Sequence, residues 1–184
     1  MSNTSVDLVL SYEASRNQFK SGDIVFVRGT KSILHRLIMF LTSSRYVHVG
    51  IVFWIQTDDT SPKRLMIVEA QGRTNRRIVN LSFYDNRDLD VFSTITSWDQ
   101  MQDTALEKIG IEKYGWITAI YVGIREFALK YFNIRLPKSN FPGEICSEFA
   151  ARVVGILPAE ISPGTLSKTL LSKGSKVKLM VRNG

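Results

Sequence analysis

The sequence predicts an α+β protein in which a small antiparallel sheet is packed with helices. Two observations carry that reading. Between residues 24 and 96, short β-branched and aromatic runs alternate with turn residues, as in a meander. From Ser97 onward, apolar residues recur at spacings of three and four, the period of an amphipathic helix. The 184 residues fit one domain, expected to span 1–184, and 44% hydrophobic with 22% charged residues excludes the low-apolar, high-charge composition of disorder.

Taken in order, Ser21, Gly22 and Asp23 form a turn signal, and Ile24 to Val27 read as a strand ending at Gly29. In KSILHRLIMFLTSS the residues Ile33, Leu34, Leu37, Ile38 and Leu41 mark a helix with one face expected to be buried, turning His35 and Arg36 toward the other. Val47 to Ile55 and Arg64 to Ala70 are strands joined by a polar loop of about hairpin length, and antiparallel pairing follows. Arg77 to Leu81 and Leu89 to Thr96 add two strands, separated by the turn-rich SFYDNRD. Trp98, Met101, Ala105 and Ile109 share a helical face that Gly110 is expected to cap. The helix Trp116 to Phe132 is apolar nearly all round through Ile124, which predicts burial on several sides. A helix from Glu144 to Val154 closes at Gly155, and after Ser162-Pro163-Gly164 come a short helix and the strand Lys176 to Val181.

Composition narrows the chemistry. One cysteine excludes an intramolecular disulfide and any zinc site needing two thiolates from this chain, and with two histidines a mononuclear metal site would lean on carboxylates. No metal or cofactor is expected. The opening twenty residues lack the basic start, apolar run and cleavage site of a secretory signal, and no apolar stretch approaches the roughly 20 residues of a spanning helix. Cytoplasmic synthesis is the expectation, with the final location open. Of the net charge of +7, Lys168, Lys173, Lys176, Lys178 and Arg182 follow Glu160 with no acid among them. This basic tail favours an anionic polymer or membrane surface, or is simply a solvated face. Nucleic acid is not expected, because no stacking aromatic series accompanies the charges.

Three residues could do chemistry. Cys146 is placed two or three residues inside a helix start, after Pro142 and Gly143, where free backbone N–H groups favour a thiolate and could hold an oxyanion. The alternative is a small buried hydrophobe. His48 heads the strand VHVGIVFWI, with Gly50 leaving room beside its imidazole for another group or a substrate. Its alternative is a structural histidine at a strand edge. Glu69 is the one acid in the run LMIVEA, and a buried carboxylate needs a partner. An imidazole on the neighbouring strand would serve, as would Arg64, Arg73 or another nearby base. Together the three make the cysteine, histidine and carboxylate set of acyl transfer.

The order SGDIVFVRG, helix, RYVHVGIV, IVEAQG and, much later, FPGEICSEFAARVVG resembles the circularly permuted NlpC-type branch of the papain-like superfamily, in its YiiX-like group. The match covers roughly Ser21 to Leu157 and reverses the ordinary papain order, with the histidine strand first and the nucleophile helix last. The resemblance implies a permuted papain-like fold, Cys146 as nucleophile, His48 as general base and Glu69 as the third, polar member. It also implies that Tyr46 and Tyr114 line the substrate cleft. Members hydrolyse peptide or amide bonds in peptidoglycan, act as other amidases, or transfer lipid acyl groups, so the substrate stays open. The leading expectation is a cysteine peptidase or amidase acting on a peptide or amide substrate, such as cell-wall peptide. A lipid or thioester acyl hydrolase or acyltransferase, and a catalytically silent binding module, are the alternatives.

Overall fold

The computed structural model describes residues 8–72, 74–139, 141–156 and 161–182. Leu157, Glu160 and Arg73 lie outside the described residues. The core is a seven-stranded sheet of β1 (Leu8–Leu10), β2 (Ile24–Arg28), β3 (Tyr46–Ile55), β4 (Arg64–Gln71), β5 (Asn75–Asn80), β6 (Leu89–Ser93) and β7 (Lys176–Val181), in the order β1-β7-β6-β2-β3-β4-β5. Six strands are antiparallel, and β1 joins the edge parallel to β7. Fold class and most strands match the sequence reading. The edge strand β1 was not anticipated, because three residues carry too little pattern.

Both faces of the sheet are covered, which is why its strands read as almost unbroken apolar runs rather than alternating ones. On one face Ile24, Phe26, Ile51, Phe53 and Val68 pack under α3 (Trp98–Leu106), α5 (Cys146–Val153) and α6 (Pro163–Ser172), with Phe149 and Leu166 fully buried between the layers. On the other, Val25, Val27, Val52, Leu65 and Ile67 meet Tyr12 of the short α1 (Tyr12–Ser15), Phe19, Leu81 and Tyr84. The last two belong to a 3₁₀ turn, Leu81–Tyr84, capped by the Asn80 side chain.

Several boundaries differ from expectation for identifiable reasons. Helix α3 stops at Leu106 because Glu107 turns extended and gives its carbonyl to the buried Arg76 guanidinium. Gly110 is left-handed (φ +75°) as predicted, but it shapes the turn beyond, where its N–H donates to the Arg76 carbonyl at 2.8 Å. Helix α5 begins at Cys146 itself, since Glu144 is held in a bridge to Tyr114 and cannot be helical.

The larger correction concerns α2 (Ile33–Thr42) and α4 (Trp116–Phe132). They pack on each other, with Phe40 on Phe127 (ring centroids 5.3 Å apart) and Leu41 against Gly123. Helix α2 does not bury the apolar face expected of it, and α4, expected to be buried on several sides, buries only Thr118, Val122 and Gly123. No residue of α2 is buried, and Ile33, Leu34, Leu37 and Phe40 are exposed, as are Trp116, Ile117, Ile120 and Ile124. No helix among the described residues is long and apolar enough to cross a membrane.

Candidate active site

The site forms where β3 begins, β4 ends and α5 starts. In the β2–β3 ladder Val27 pairs with His48 but Arg28 pairs with Tyr46, so Val47 is an extra residue, a β-bulge. A bulge bends the strand and re-aims the side chains beside it. Tyr46 thereby falls in the helix-covered core, while His48, near the start of the interior strand β3, lies against Glu69 and beside Cys146. Gly50 does make room, but the Ile67 side chain fills it: a Cβ at Gly50 would lie 2.7 Å from Ile67 Cδ1.

Glu69 is fully buried and fully used. Its Oε2 lies 2.7 Å from His48 Nε2 and accepts from the Tyr84 hydroxyl at 2.7 Å, while Oε1 accepts from Arg77 Nε at 2.8 Å. Arg77 is its cross-strand neighbour on β5. Burial alone would raise the Glu69 pKa, but the His48 charge and these three hydrogen bonds outweigh it and hold the carboxyl down at about 2. Tyr84 also lies along the imidazole, ring centroids 6.1 Å apart and 24° from parallel. Burial and the adjacent carboxylate push its phenol well above the ordinary value.

With Nε2 committed to Glu69, the Cys146 side chain is the other polar neighbour of the imidazole. Burial works to lower the His48 pKa, yet the Glu69 carboxylate and the neighbouring Cys146 side chain raise it to about 10. Cys146 is the first residue of α5, and it is 3% exposed. The turn before it is fixed by Gly143, whose φ of +93° and approach to Gly115 leave no space for a side chain. Gly115 N–H donates to the Glu144 carbonyl and Glu144 N–H to that of Lys113. This two-strand clasp brings Tyr114 to Cys146, and the two line one cavity. Burial and the neighbouring Cys146 side chain push the Tyr114 phenol far up.

Two cavities meet at Tyr114. One, about 240 Å³, is lined by His48, His35, Tyr84, Leu34, Phe83 and Trp116, and the other, about 70 Å³, by Cys146, Ile145, Val122, Ser147 and Ser162. Tyr114 lines both cavities. Tyr46 does not: it is 5% exposed, packed on Phe26 and Phe92, and its hydroxyl donates to Asp90 at 2.7 Å. His35, expected to face solvent, is half-buried at the cleft wall, its Nδ1 bonded to Thr30. Of the basic tail, Lys178 and Arg182 are taken up by Asp23 and Asp90 inside the molecule, leaving Lys168, Lys173 and Lys176 exposed.

Sequence reasoning missed Tyr84, Arg77 and Trp116. Arg77 could have been found by counting the β4–β5 register outward from the turn. Tyr84 had no such signal, because SFYDNRD reads only as a turn. Among the described residues no group of three or more histidine, cysteine or acidic side chains is placed to hold a metal ion.

No family model matches the sequence, and no curated protein matches it. Among solved structures, the chain is similar to the crystal structure of the metalloprotein YiiX, a DUF1105 protein from Escherichia coli O157:H7. The identity is 17% and the TM-score 0.47, over 89% of this chain and 88% of that one.

Proposed function

We propose that this chain is a papain-like cysteine hydrolase that cleaves an amide or peptide bond through an acyl-enzyme on Cys146. The observation that carries the reading is the placement of His48 between the Glu69 carboxylate and the Cys146 thiol. Glu69 holds Nε2 and stabilises the imidazolium, so at neutral pH the proton sits on His48. The sulfur of Cys146 attacks the carbonyl carbon, and the oxygen takes up negative charge beside two donors, the Cys146 N–H and the Tyr114 hydroxyl. As the C–N bond breaks, His48 gives its proton to the leaving amine. It then takes a proton from water, whose oxygen attacks the thioester and releases the acid.

A second reading, acyl transfer or hydrolysis on a lipid or thioester, is favoured by one specific observation. The mouth of the larger cavity is rimmed by exposed Leu34, Phe83 and Trp116. The same attack and release would apply, with an oxygen or sulfur leaving group. A silent binding module on this fold would use neither.

The test is alkylation of Cys146 by iodoacetamide, followed by mass spectrometry across pH, in the wild type and in His48→Ala. Rapid modification below pH 7 that slows at least about tenfold in the variant is the expected outcome. Slow modification with no effect of the substitution would overturn the catalytic reading. Matched peptide and lipid ester substrates then separate the two chemistries.

A further inference from the structure

We infer that the paired helices α2 and α4 form a docking face for an anionic lipid bilayer, which sets the mouth of the His48 cleft against the membrane surface. An amphipathic helix normally spends its apolar stripe on the protein core. Here α2 turns Ile33, Leu34, Leu37 and Phe40 outward at 87, 56, 52 and 56% exposure, a stripe repeating every three to four residues. Helix α4 runs beside it with Ile117, Ile120 and Ile124 exposed at 59, 60 and 45% on the same kind of stripe. The two are joined, since the Phe40 ring sits on both Phe127 and Tyr131. A contiguous apolar face of this kind marks an interaction surface.

Charge decides what covers it. The segments that build the face, residues 31–45 and 113–143, carry exposed Lys31, Arg36, Lys113, Lys130, Arg135 and Lys138. Their single acid, Glu126, is turned inward, where it accepts from Ser162 N–H at 3.1 Å and from the Thr165 hydroxyl at 2.6 Å. The loop after α4 folds back along it, Tyr121 donating to the Pro137 carbonyl at 2.8 Å, which brings the basic end of the segment beside the helix. A second copy would oppose like charges across the contact. An apolar face flanked by lysine and arginine with no acid on it is complementary to anionic headgroups over acyl chains. Leu34 and Trp116 belong both to this face and to the cavity that contains His48. A bound bilayer therefore meets the opening of the cleft, while the basic tail at α6 and β7 is not needed for contact.

The inference deepens the acyl-hydrolase reading without depending on its chemistry, so binding is measured on Cys146→Ala protein, which cannot turn over. Cosedimentation with phosphatidylcholine vesicles, with and without phosphatidylglycerol, is compared between this protein and its Leu37→Glu/Ile120→Glu derivative. The expected result is binding to the phosphatidylglycerol vesicles that weakens with salt and falls at least about tenfold in the derivative, whose substitutions sit in solvent. On the otherwise unaltered chain, brominated lipid should quench tryptophan emission, and Trp116→Phe should abolish the quenching. Three results would overturn the inference: no binding to either vesicle, binding lost only on Lys173→Glu/Lys176→Glu, or a dimer in solution that Leu37→Glu/Ile120→Glu dissolves. Loss of thiol reactivity with vesicle binding intact would instead sink the catalytic reading alone.

Discussion

Glu69 bears most of the electrostatic work of the site, since one buried carboxylate receives an imidazole, a phenol and a guanidinium. In Glu69→Gln the imidazolium loses its nearest counter-charge while its burial persists, so the His48 pKa should fall from about 10 to near or below the ordinary 6.5. Titration of the His48 ring protons by NMR reads this directly. The sign for stability follows from the same shifts. His48 has a raised pKa, so its contribution is full below about 6.5 and fades as pH rises through about 10. Glu69 has a depressed one, so its contribution is present above about 4.5 and is lost as pH falls through about 2. The wild type should accordingly lose stability above pH 7 more steeply than Glu69→Gln, which denaturant melts at several pH values would register. The three central residues were legible because the sequence offers one cysteine, two histidines and one acid in an apolar strand. Tyr84 was not, since what brings it to Glu69 is the path of a turn.

At the scale of elements, β4 approaches β3 closely at Gly50, two residues from His48. Gly50→Ala would push a methyl into Ile67, costing roughly 1–3 kcal/mol by overpacking. Ile67→Ala empties a fully buried site and should cost about 2–5 kcal/mol. The double variant should be more stable than the sum of the two, because the cavity of one receives the methyl of the other. Additive losses in urea unfolding would mean that the strands do not meet as described. Periodicity located α2 and α4 correctly, residue for residue in the case of α4, yet overestimated how much of each is buried. A stripe shows that a helix has a nonpolar side. Whether that side meets its own core or another surface depends on where neighbouring elements lie, which local spacing does not encode.

For the whole molecule, Asp90 on β6 is the hub that ties the sheet together. It is fully buried and accepts from Tyr46 of β3, from Arg28 of β2 and from Arg182 just beyond β7, with Arg45 at 3.1 Å. Burial would raise its pKa, but these donors and charges bring it below the ordinary value, so its stabilisation holds above about pH 4 and disappears in acid. Asp90→Asn should cost about 3–5 kcal/mol near neutral pH, as loss of a buried counter-charge does, and should flatten the acid limb of the stability profile. Thermal melts of both proteins between pH 3 and 7 are the measurement. None of this hub was foreseen, because its members come from four separate stretches of chain.

The sheet order has a bearing on biosynthesis. Strand β7 fits between β1 and β6, so the first and last strands described are neighbours. On the ribosome β1 waits without its partner, and β6 keeps a bare edge, until α3 to α6 have been translated. Helix α5, with Cys146, also emerges after the strands that carry His48 and Glu69. The nascent chain can therefore hold a meander long before it holds Cys146, and completion of the sheet waits for β7.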